Sequence, residues 1–219
     1  MADNFAVFFK EILLKELGIT LYMVGISTLL STIIGFILAI ILIITDKNGL
    51  RPNKIIYKSL DFVINTLRSF PFIILIVVLI PLTRFIVGKS IGEVAALVPL
   101  TIGAAPFIAR IIEGSLKEVD KGLIEAAKSF GASDYQIIFK VMIKEAMPSI
   151  VSGITLSIIS ILGYTAMAGA VGAGGLGKVA IAYGYQRFDN NVILYTSITL
   201  VVLVQLLQSA GDYAYKKLR

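Results

Sequence analysis

The chain has 219 residues, of which 57% are hydrophobic and 16% charged, with a mean hydropathy of +0.90. A water-soluble globule of this size cannot hide so much apolar surface, so the composition places the chain in a membrane. It holds no Cys and no His. That excludes disulfides, thiolate or imidazole metal sites, thiol nucleophiles and imidazole acid–base chemistry. The net charge of +6 comes from 20 Lys+Arg against 14 Asp+Glu. In so apolar a chain that excess marks loops facing the anionic leaflet, not a nucleic-acid surface.

In chain order, residues 1–16 space Phe5, Phe8, Phe9, Ile12 and Leu13 along one helical stripe. The stripe predicts a short interfacial helix, with a frayed terminus as the plainer alternative. Leu17 to Thr45 is uncharged and long enough to span alone. It is too long for the apolar region of a signal peptide and is followed by no small-residue cleavage site, so it reads as a retained first span. A second span is expected near 60–83, carrying Arg68 inside it, and a third near 90–112, with Arg84 and Lys89 marking the tight turn between them. Further uncharged runs predict spans near 148–170 and 190–211. The expectation is a single all-α integral membrane domain of five helices.

Five spans put the termini on opposite sides. Counted by alternate loops, thirteen Lys and Arg fall on the side holding residues 46–60, 110–147 and the C-terminal tail, against six on the other, with Arg68 left inside a span. The positive-inside rule then places the N-terminus outside and the C-terminus in the cytoplasm of a multi-pass cell-membrane protein.

The cytoplasmic loop 113–147, between spans three and four, is too periodic for a linker and too polar to insert. Ser115-x-x-Glu118 and Ser133-x-x-Gln136 both have capping-box spacing, which predicts two short helices. Gly131 is expected to turn the chain between them, and Pro148 to open the fourth span, where a missing N–H costs least. Leu123, Ile124, Ala126, Ala127 and Phe130 give the first helix an apolar face with no obvious core of its own, so another surface is expected to cover it.

Glu125-Ala126-Ala127-Lys128-Ser129-Phe130-Gly131-Ala132, followed by Pro148, resembles the EAA signature of binding-protein-dependent ABC importer permeases. An isolated Glu-Ala-Ala triplet reads more simply as tight helix packing; the whole spacing inside a cytoplasmic loop favours the resemblance. The segments Asn65-Thr66-Leu67-Arg68-Ser69-Phe70-Pro71-Phe72 and Tyr164 to Gly177 are similar to the methionine-importer permeases, so the likeness covers nearly the whole chain. The resemblance implies a homodimer, two cytoplasmic ATPase subunits docked on the loop, and an extracytoplasmic binding protein that delivers substrate. It makes Leu123, Glu125, Ala126, Ala127, Gly131 and Ala132 coupling residues. It also implies that no cofactor sits on this chain, ATP and Mg²⁺ belonging to the partner subunit, and that the chain is a transport subunit and not an enzyme. Methionine, L or D, is the implied cargo, with another small amino acid or peptide as the alternative.

Gly172 to Lys178 fits both G-x-G-x-x-G and the first seven positions of a phosphate-binding loop, but Val179 stands where the Mg²⁺-binding hydroxyl belongs and no strand precedes it. Its glycines, with Gly169, suit close helix approach beside a pathway. Met167, the one long side chain in that stretch, reads as a gate with its symmetry mate or as a packing or lipid-facing residue. Tyr164, Asn65, Ser69 and Pro71 join Met167, Gly169 and Arg68 as pathway candidates. Arg68 is expected to pair with Asp61, two helical turns earlier, to face the dimer interface, or to meet a substrate carboxylate. Pro71, Pro81, Pro99 and Pro106 are expected to kink spans two and three. A secondary transporter would want intramembrane carboxylates or an inverted repeat, and a membrane enzyme a catalytic cluster; the sequence offers neither.

Overall fold

The computed structural model describes residues 8–218, and among them every regular element is helical. Helix α1 (Leu14–Thr45) is entered without a break from a π-helical stretch, Phe8–Leu13. The expected interfacial helix is therefore not a separate element among the described residues. Phe5 and the rest of 1–7 lie outside them. At about 1.5 Å per residue a helix of this length far exceeds a hydrocarbon core roughly 30 Å thick, so α1 projects beyond it.

Helix α2 (Lys54–Ser69) begins at Asn53, whose side-chain oxygen accepts from the N–H groups of Ile55 and Ile56 at 3.1 Å each. The second span expected near 60–83 is broken at Pro71, one of the prolines expected to kink it. α2 meets α3 (Phe72–Val78) at an angle of 106°. The cause is local: the residue before a proline is driven out of the α region, and Phe70 (φ −75°, ψ 128°) and Pro71 (φ −57°, ψ 131°) are both extended. Helix α4 (Ile80–Val87) takes Pro81 in its first turn and ends at left-handed Gly88. In contrast to Pro71, Pro99 and Pro106 lie within a single helix, α5 (Glu93–Lys117).

Beyond α5 come α6 (Lys121–Ser129) and α7 (Asp134–Ala170), then the short α8 (Gly175–Lys178), a π-helical stretch Val179–Tyr185, and α9 (Asn190–Leu218). Four described helices are long and apolar enough to cross a membrane, and five spans result if bent α2–α3 counts as one. The helices overrun the expected loop 113–147 at both ends. Ser115 lies inside α5, where its hydroxyl bonds Ser149 Oγ at 3.0 Å, because the buried row Ile108, Ile112 and Leu116 carries the helix onward over the core. Pro148 likewise lies well inside α7, which starts at Ser133.

α1 and α5 form the centre of the bundle. Ser27, Ser31, Gly35 and Ala39 recur every four residues on α1 and are all buried. Small residues at that spacing let two backbones approach closely. A Cβ placed on Gly35 would lie 2.9 Å from the carbonyl oxygen of Ala105. α7 closes on α5 at Gly153, against Ile111, and α9 on α7 where Gly211 meets Thr155. Gly35→Ala should therefore destabilise the protein by about 1–3 kcal/mol through overpacking, seen as a lower thermal midpoint in detergent. Gly25→Ala, whose Cβ would meet nothing within 4 Å, should hold or raise it.

Candidate coupling surface and translocation pathway

α6 is built by caps at both ends. Asp120, not Ser115, starts it, its carboxylate accepting from the Leu123 N–H at 3.2 Å. Gly131 ends it in the left-handed region at φ 77°, with Gly131 N–H donating to Lys128 O and Ala132 N–H to Ala127 O. These paired bonds are the Schellman arrangement, and only a residue without Cβ adopts that φ freely. The following helix opens on the expected capping box, Ser133 and Gln136 satisfying each other's backbone N–H.

The apolar face of α6 divides. Ile124 and Ala127, with Ala132 beyond the turn, pack on the protein's own buried cluster, which includes Ile137, Ile138 and Met142. Leu123, Glu125, Ala126 and Phe130 point away from it, and Phe130 is 91% exposed. The expectation of one uncovered apolar face thus holds for half of it. Ala127 and Ala132 seat the helix, while Leu123, Ala126 and Phe130 leave an apolar ridge outside.

Beneath α6 runs an ion network that the sequence reading did not find. Glu113 is buried, yet Arg110 reaches it at 2.7 Å, Lys117 at 2.7 Å and the Tyr57 hydroxyl at 3.1 Å. Lys117 also pairs with Asp46 at 2.9 Å, and Arg110 with Asp61. Burial pushes the Asp46 carboxyl upward, but the Asn48 N–H and the Lys117 ammonium outweigh it and hold the group below the usual carboxylate range. The network fastens the ends of α1, α2 and α5 together. Its core, Arg110-x-x-Glu113-x-x-x-Lys117, has the spacing of helical ion pairs, which was the available signal.

The expected pairing of Arg68 with Asp61 does not occur. Asp61 is taken by Arg110 and by Asn65, whose amide donates to it at 3.2 Å. Among the described residues no carboxylate lies within ion-pair distance of Arg68, which borders a 150 Å³ cavity with Phe70, Phe72, Gly103, Phe107 and Tyr164. Phe72 and Tyr164 stack with ring centroids 4.4 Å apart. Asn65 belongs to the ion network, and the Ser69 hydroxyl donates to its carbonyl at 2.8 Å. Pro71 supplies the bend. Met167 is 46% exposed on one stripe of α7 with Leu156, Gly163 and Ala170.

The glycine-rich segment is a packing device. The Gly175 N–H donates to Glu16 at 2.6 Å, the Leu176 N–H to Thr20 at 2.8 Å, and Lys178 pairs with Glu16 at 2.9 Å. The first turn of α8, where a phosphate would bind, already holds a carboxylate of the same chain. A Cβ on Gly169 would lie 2.6 Å from Lys178 N, so Gly169 admits the backbone of α8 and not a solute. Glu16 gave no signal in the sequence, since its partners are about 160 residues away.

Removing one member of a buried ion network leaves the others unpaired, at about 3–5 kcal/mol, whereas an exposed pair contributes about 0–1 kcal/mol. Glu113→Ala should therefore unfold the protein at much lower temperature. Asp134→Ala, which cuts the exposed pair with Arg51, should barely shift it.

Comparison with known proteins agrees with this architecture. The chain is 48% identical over 203 residues to the probable D-methionine transport system permease of Vibrio cholerae, covering 93% of this chain and 90% of that protein. It is 47% identical over 172 residues to the methionine import system permease of Bacillus subtilis, covering 78% of each. Its fold superposes on a chain from an inward-facing conformation of the MetNI methionine ABC transporter with a TM-score of 0.94, at 43% identity, covering 96% of this chain and 98% of that one. Residues 31–219 match the family described as binding-protein-dependent transport system inner membrane component. With that match over most of its length, the chain belongs to this family, as a multi-pass, non-enzymatic permease subunit of an ABC importer.

Proposed function

We propose that this permease carries methionine, in L or D form, into the cell by alternating access, driven by ATPase subunits docked on α6. The observation that carries the proposal is the ridge of Leu123, Ala126 and Phe130, held outward on a helix that is capped at both ends and seated on its own core. An apolar ridge beside polar groups is the form of a protein contact. The high identity to methionine permeases supports the cargo.

The working unit is a homodimer with two ATPase subunits, which hold ATP and Mg²⁺, and an extracytoplasmic binding protein. The N-terminus lies outside and the C-terminus in the cytoplasm. Moving a two-state equilibrium from 1:99 to 99:1 takes about 5.5 kcal/mol of differential binding. ATP-dependent closure of the partners supplies it and pushes on α6. The seat formed by Ile124 and Ala127 passes the push to the ends of α5 and α7 as rigid-body motion. Met167, on the exposed stripe of α7, meets its mate across the dimer axis and closes the pathway.

Phe130→Asp and Ala126→Trp should leave the permease folded but abolish co-purification with the ATPase subunit and ATP-driven uptake; normal uptake would refute the coupling role. Gly131→Pro, which removes the N–H bonded to Lys128 O, should do the same. Met167→Ala should raise passive leak of labelled methionine from proteoliposomes or change basal ATPase activity. If both stay as in the parent, Met167 is not the gate.

A further inference from the structure

Arg68 stands at the end of α2, one residue before the bend, with every nearby carboxylate already engaged. Asp61, on the same helix, is neutralised by Arg110 and capped by Asn65. Arg68 is exposed, and a guanidinium without an ion pair in a bent segment at membrane depth is costly unless it faces water, a cavity or a ligand. The cavity is at hand. Its 150 Å³ is a few water volumes, and among the described lining residues Tyr164 is the one polar side chain besides Arg68. The rest of the lining is largely aromatic, with Phe70 and Phe107 and the stacked pair Phe72 and Tyr164. Gly103 keeps this wall seated, since a Cβ there would lie 3.2 Å from the Phe72 ring. The lining comes from the α2–α3 bend, α5 and α7.

We infer that this cleft is a transport subsite in which Arg68 receives the α-carboxylate of a neutral amino acid and Phe70, Phe72 and Phe107 receive its apolar side chain. A planar fork of N–H donors matches a carboxylate, and an apolar pocket with few polar groups fixes the orientation of a small solute. The inference rests on the proposed amino-acid cargo and adds the residue that reads its charge. The free cation is then a transient partner for cargo, which binds during passage and leaves again.

The chain contains no Cys, so Arg68→Cys introduces one thiol per permease chain, and the parental complex treated with the same reagents controls for thiols on its partners. The variant is reconstituted with its ATPase subunits and binding protein, and uptake of labelled methionine is compared before and after a cationic or an anionic methanethiosulfonate reagent. Uptake should fall about tenfold or more in Arg68→Cys. It should recover with the cationic adduct but not with the anionic one, and saturating methionine should slow the labelling. Arg68→Lys should keep intermediate uptake, and all variants should still assemble with the ATPase subunits in parental amounts. Equal recovery with either reagent, no protection by methionine, or parental uptake by Arg68→Cys would each overturn the subsite. Failure of both variants to assemble with the ATPase subunits would overturn it too, by making Arg68 structural. If the parental complex carries no amino acid from a labelled panel, the cargo assignment itself fails and the subsite falls with it.

Discussion

The close approach of α1 and α5 is the constraint on which the rest of the molecule depends. Lipid tails are as apolar as leucine, so hydrophobic burial does little to bring membrane helices together. Packing at short range does it instead. Ser27, Ser31, Gly35 and Ala39 bring the α1 backbone against α5, near enough that the Ala105 carbonyl occupies the space a Cβ would need at Gly35. α7 then packs on α5 through Gly153, and α9 on α7 through Gly211. Each contact works by the absence of a side chain. Small residues at helix crossings therefore carry structure.

Polar groups are concentrated at the two ends of this apolar frame. At one end Glu113, Arg110, Lys117, Asp46 and Asp61 bind three helix ends into one body, with α6 packed over the neighbouring core. A force applied to α6 therefore meets a rigid foundation. At the other end Glu16 fixes the start of α8 through Gly175 and Lys178, and the Glu16 hydrogen bond holds the Lys178 ammonium above the ordinary lysine range, against a smaller effect of burial. Between the two ends the chain turns by 106° at Phe70 and Pro71, and Arg68, without an ion pair among the described residues, lies beside that bend. Charge thus serves rigidity where it is paired.

Features with a local cause were legible in the chain itself. The uncharged runs gave the spans, the Ser133 to Gln136 spacing gave a helix start, and Gly131 gave a left-handed stop. Where the reading went wrong, the deciding contacts lay elsewhere in the chain. Ser115 and Pro148 carry the marks of helix starts, yet both lie inside longer helices, because buried rows on either side reward continuation over the core. The spacing of Asp61 and Arg68 on one helix face was read correctly. The pairing was not, because Arg110 arrives from α5 and takes the carboxylate.

What the amino-acid order alone determined is therefore the membrane class, the turns and caps, and the location of the loop helix, all set by hydropathy and by backbone chemistry within a few residues. Only the tertiary structure decided which half of α6 faces outward, by how much the second span bends, and which carboxylate each cation holds. Those outcomes depend on side chains tens to more than a hundred residues apart meeting within about 3 Å, the reach of a hydrogen bond, and no local pattern encodes that distance.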